Sequence, residues 1–265
     1  MKLQLIIKSL RDRARSTLWW ALSVLGISAM MLSVYPSIKT TGKEMDAFIK
    51  AMPEFLVKAM RIEDYTSGPG YLGAELFSMM IPIVFVAIAA SAAASASAEE
   101  EERGTSDLIY SLPVARWRIV LSKLFAGWID LTLIAVILFA CLRLGAGFAE
   151  LEIDTEPLLA VIVACYMLAI CFASFATLFG VLIGRRAAAL GAAIGIAILS
   201  FLIYTLAPMV DTFDNVLPFV PYDWAFGEDP IRHGFDWPGL GWLAVASAVL
   251  NLASLVVISR RDIRA

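Results

Sequence analysis

Six apolar runs, each about as long as a lipid bilayer is thick, constrain this chain more than any other feature. A helix needs roughly 20 residues to cross the ~30 Å hydrocarbon layer. Runs of that length cover 17–36, 72–98, 124–145, 158–183, 188–210 and 238–258. Backbone groups in hydrocarbon must satisfy one another, so each run is expected to fold as a helix. With 60% hydrophobic and only 17% charged residues among 265, the chain is too apolar for a water-soluble domain of this length. The expected fold is all-α: a polytopic membrane protein with six transmembrane helices, forming a single domain over 1–265.

Six crossings put both termini on one side, and the basic residues select the side. With the termini in the cytoplasm, the inner segments hold fourteen of the 21 Lys and Arg residues, including Arg103, Arg116, Arg118, Lys123, Arg185 and Arg186. Before the first span, Leu3, Ile6, Ile7, Leu10 and Ala14 recur at helical steps between Lys2, Lys8, Arg11 and Arg15. This predicts a surface-lying helix over 1–16. Because that charged stretch leads straight into a full-length span, no cleaved signal peptide is expected. In the first outer loop, Met45, Phe48, Ile49, Met52, Leu56 and Met60 suggest one or two short surface helices interrupted at Pro53. The loop from Asp211 to Trp237, rich in proline and aromatic residues, suits a structured cap at headgroup level.

Inside the spans, small residues mark close packing. Ala89 to Ala98 is almost entirely Ala and Ser, while Gly180/Gly184 and Gly191/Gly195 are each four apart. Those glycines fit packing within the chain or against a second copy. Pro82 predicts a kink in the second span, either a tolerated bend or a hinge. Asp130 is the one acid well inside a span, about 10 Å past Lys123 at 1.5 Å per residue. It could serve a proton relay or ion site, bond to another helix through Asn251 or a serine, or reach cytoplasmic water.

Several chemistries lack their residues. The only histidine, His233, falls in an outer loop, which argues against metal or histidine-base catalysis. Cys141, Cys165 and Cys171 lie inside apolar runs without metal-ligand spacing and are expected to be core residues. A net charge of -3 gives no basic surface for nucleic acid. The one Gly-Lys pair, Gly42-Lys43, is followed by Glu44 and has no phosphate-loop context. The chain is therefore expected not to be an enzyme that hydrolyses ATP, and to carry no cofactor or metal.

Between the second and third spans, segment 99–123 opens with Glu99-Glu100-Glu101-Glu102-Arg103-Gly104-Thr105. A charge at the centre of a membrane helix costs roughly 2.5 to 3.5 kcal/mol on insertion scales, so this run belongs in water. Leu108, Ile109 and Leu112 then form an apolar stripe, and Pro113 suits the first turn of a second helix that carries Trp117, Val120, Leu121 and Leu124 on one face. Such a helix, turn and helix at the membrane surface offers docking ground to a soluble partner.

Glu102-Arg103-Gly104-Thr105, Leu108, Leu112-Pro113-Val114-Ala115-Arg116 and Lys123 resemble the motif after the second span in permease subunits of type-2 ATP-binding-cassette exporters, the drug and polyketide exporter group. The resemblance extends to the amphipathic amino-terminal elbow, the Tyr35-Pro36 end of the first span and the structured loop before the last. It implies that Glu101, Glu102, Arg103, Gly104, Thr105, Leu108, Leu112, Pro113 and Arg116 form a coupling interface for an ATPase subunit. It also implies a partner that binds ATP and Mg, a second permease copy or paralogue in a two-plus-two assembly, and a bacterial plasma membrane. The cargo would be a hydrophobic or amphipathic compound such as an antibiotic, drug or lipid. Two rivals stay open on the residues alone: a proton-coupled carrier using Asp130, and a membrane scaffold or sensor.

Overall fold

The computed structural model describes residues 3–42, 48–53, 56–57, 62, 64–104 and 115–260. Met45 and Met60 of the first outer loop and Thr105, Leu108, Leu112 and Pro113 of the inner segment lie outside these residues. Among the described residues there are helices and no strands, and six of the helices are long and apolar enough to span a membrane. They are α1 (Leu3–Thr40), α2 (Gly68–Glu102), α3 (Arg116–Phe148), α4 (Thr155–Ile183), α5 (Arg186–Leu206) and α8 (Trp237–Arg260). Each matches one of the six apolar runs. Between α5 and α8, three-residue 3-10 turns lead into α6 (Pro221–Phe226) and α7 (Pro230–His233), so the proline- and aromatic-rich loop is structured.

The amino-terminal stretch corrects one expectation. Residues 3–16 are not a separate elbow; they continue the first span as one helix of 38 residues. The physical reason is local: no proline or glycine occurs before Gly26, so nothing ends the helix where the span begins. At 1.5 Å per residue α1 is about 57 Å long, far more than the hydrocarbon needs. Pro36 is accommodated inside it.

α4 is the axis of the bundle. It packs against α2, α5 and α8, and 72% of its apolar window is buried, the largest share of the six. Ala89–Ser97 of α2 is mostly buried, and its small side chains let the neighbouring helices approach. A side chain at Gly180 of α4 would collide with Ser97, which places this glycine in the seam. α4 stops at Gly184, whose φ of 72° is a left-handed cap open to glycine and strained for other residues. Gly191 and Gly195, by contrast, have no atom of a described residue within 4 Å of a built Cβ and lie on an exposed flank of α5. Cys165 and Cys171 are buried in the core, Cys141 only partly.

The irregularity in α2 lies just ahead of Pro82. Residues Gly73–Met80 form a π-helix, and the N–H of Ile81 donates to the carbonyl of Leu76, five residues back. Proline has no N–H and its ring crowds the preceding turn; the wider π turn relieves that crowding without breaking the span. Nearby, Tyr71 donates to the Met31 carbonyl at 3.0 Å and Tyr35 donates to the Thr66 carbonyl at 3.2 Å, tying α1 to the start of α2. Glu75 accepts from the Tyr65 hydroxyl at 2.5 Å. Burial, helped by that bond to Glu75, pushes Tyr65 above the usual phenol range.

Candidate functional site: a charged cluster where four helices meet

Successive residues of an α-helix point about 100° apart, so four consecutive glutamates fan around the end of α2 and cannot share one partner. Glu99 pairs locally with Arg103 at 2.7 Å. Glu100 forms an ion pair with Lys123 of α3, with side-chain exposures of 15% and 23%. The Glu101 carboxylate lies against Gly184, at 2.5 to 2.7 Å from the Cβ that another residue would carry there. Glu102 reaches furthest: its Oε2 accepts the backbone N–H of Arg186 at 2.7 Å.

That last bond has an electrostatic logic. The first N–H groups of a helix lack internal acceptors and carry partial positive charge. Arg185, at the N-cap of α5, makes no side-chain cap bond of its own. Glu102 therefore caps α5 from a different helix, which makes the junction between α4 and α5 dependent on the end of α2. The Arg186 side chain runs back to α2, where its Nη2 donates to Ser91 Oγ at 3.2 Å.

One layer deeper, Arg13 of α1 meets Asp130 of α3. Arg13 Nε lies 3.1 Å from Asp130 Oδ2, and the two side chains are 26% and 6% exposed. A glycine makes the room: a Cβ at Gly127 would stand 3.0 Å from the Cβ of Ala92 and 3.4 Å from Arg13 Nη1. Asn251 is elsewhere, donating to Ser174 Oγ at 2.7 Å and to the Ser247 carbonyl at 2.8 Å, so it holds α8 against α4. Asp130 and Asn251 thus belong to two separate contacts.

Of the residues expected at a coupling interface, Glu101, Glu102, Arg103 and Gly104 stand together at the end of α2, and Arg116 opens α3. Gly104 turns the chain out of the helix with φ of 64°, and no described residue comes within 4 Å of a Cβ built there. Arg13, Lys123, Gly184 and Arg186 complete the cluster. Of these, Lys123 belongs to the motif read in the sequence, and Gly184 before Arg185-Arg186 carries a signal as a helix stop followed by a restart. The pairings across helices have none.

The sequence profile of ABC-2 family transporter proteins matches residues 3–262. The chain belongs to that family. No curated protein and no solved structure matches it. As an ABC-2 family protein it is a membrane subunit of an ABC transporter, a multi-pass protein whose family works with an ABC ATPase partner. The match takes in all six spans, so the charged cluster belongs to the ABC-2 domain itself and not to an appended module.

Proposed function

We propose that this ABC-2 protein is the permease half of an ATP-driven exporter, and that segment 99–123 is where a separate ATPase subunit pushes on it. The observation carrying this reading is the fan of Glu99 to Glu102. The helix end that leads into the segment is tied to α3 through Lys123 and to α5 through the Arg186 N–H. A displacement of that helix end would be felt by three spans at once. Coupling of this kind needs an element with two arrangements whose energies the nucleotide biases. Two permease copies would enclose the pathway, with ATP and Mg on the two ATPases. The cargo would be hydrophobic or amphipathic, and both termini would face the cytoplasm of a bacterial cell.

The proton-carrier alternative rests on Asp130, and the structure supplies that carboxylate with a guanidinium 3.1 Å away. Such a contact serves as a tie between α1 and α3. The test is copurification with the products of the neighbouring genes, followed by vanadate-sensitive ATP hydrolysis in liposomes. Glu102→Ala and Gly104→Pro are each expected to lower permease-dependent stimulation about tenfold, the range of an ordinary coupling energy. If no ATPase copurifies, or both variants stimulate like wild type, the reading fails. Asp130→Asn should leave any pH-driven flux unchanged.

A further inference from the structure

At the end of the bundle away from the glutamates, a cavity of about 500 Å³ lies between α2, α5 and the segment 207–232 that covers them. Pockets for drug-sized ligands fall between about 300 and 1,000 Å³. Its walls and roof differ in chemistry. The spans contribute Phe77 of the π-helix and Phe201 and Tyr204 of α5. Asp214, Asp223, Asp229 and Arg232 all come from the covering segment, alongside Phe226. Three carboxylates and one guanidinium give the described lining a net charge of -2. Arg232 Nε lies 3.6 Å from Asp229, so that guanidinium is engaged within the roof. Asp214 is exposed, whereas Asp223 is half-buried.

We propose that this cavity binds a hydrophobic cation, a molecule with an apolar body of a few rings and one permanent positive charge. The apolar body fits the aromatic walls, whose ring faces also attract a cation. The charge fits beneath the acidic roof, where partial exclusion of water strengthens the attraction. An anion of the same shape meets repulsion from the roof and no gain from the rings. Met79, half exposed, is part of the lining, so one wall reaches the apolar outer face of α2. The π-helix at one wall is consistent with a binding role, since such turns are frequent at functional sites. The inference deepens the exporter reading by naming a cargo class, and rests on that reading only for the step from binding to transport.

The test is equilibrium dialysis of radiolabelled tetraphenylphosphonium against the purified full chain in neutral detergent, with empty micelles subtracted. Saturable binding to one site per chain is expected, and tetraphenylborate, of the same shape and opposite charge, should show none when measured separately. Asp223→Asn should weaken phosphonium binding about tenfold, while Asp223→Glu keeps it. Phe201→Ala should weaken it about fivefold. Should Asp223→Asn fail to yield monodisperse protein, Asp214→Asn at the exposed rim carries the charge test, with a loss of about threefold expected. Absence of saturable phosphonium binding, equal binding of the borate, or wild-type affinity in the folded Asp-to-Asn variants overturns the proposal. No ATP or ATPase enters this measurement, so a negative result removes the cargo class and leaves the permease reading to its own experiment.

Discussion

At the residue scale, the Arg13 and Asp130 pair shows how a membrane helix can carry a charge. Alone, either group would cost several kcal/mol at the depth of a span. Together, with Gly127 leaving space, they join α1 to α3. Breaking such a pair from one side leaves the other charge uncompensated, whereas removing both is milder. A double-mutant cycle should show this. Arg13→Gln and Asp130→Asn are each expected to lower stability in detergent, and the double variant to lose less than the two combined, with a coupling of about 0.5 to 3 kcal/mol. Strictly additive losses would mean that the pair contributes nothing beyond its separate residues. The depth of Asp130 is legible by counting from Lys123, but its partner is not, because no period in the sequence links position 13 to position 130. Glu102 divides the same way. Its place in water follows from four adjacent charges, while its capping of α5 depends on which helix starts beside the end of α2.

At the element scale, helices were the legible part, because apolar runs of bilayer length admit little else. The small residues of α2 and α4 were legible as packing signals too, and Gly180 shows where that signal pointed. The π-helix was not, since a single widened turn leaves no repeat, and Pro82 alone hints at it. The separate elbow failed for a related reason: amphipathic spacing describes a helix face, not where a helix bends. The glycine pairs give a contrast that can be measured. Gly180→Val forces a side chain into Ser97 and should cost about 1 to 3 kcal/mol as overpacking. Gly195→Val meets no atom of a described residue within 4 Å and should change stability within about 0.5 kcal/mol. Thermal exposure of the buried Cys165 and Cys171 to a thiol-reactive dye reports unfolding directly. Equal midpoints for the two variants would remove Gly180 from the seam.

At the scale of the whole molecule, the charged ties and the aromatic cavity occupy opposite ends of one bundle, and α4 runs between them. Cytoplasmic ATP can act on the charged ties only if that end of the bundle faces the cytoplasm. The basic residues set the expected arrangement, since Lys and Arg concentrate in short cytoplasmic loops. In a background with Cys141, Cys165 and Cys171 replaced, Arg260→Cys and Phe219→Cys sit on exposed positions at opposite ends; Phe219 is 74% exposed. A membrane-impermeant maleimide added to intact cells should label Phe219→Cys and spare Arg260→Cys until the membrane is opened. The reverse pattern would put Glu99 through Gly104 outside the cell, beyond reach of an ATPase that needs cytoplasmic ATP, and would end the coupling proposal while leaving the cavity and its ligand chemistry intact.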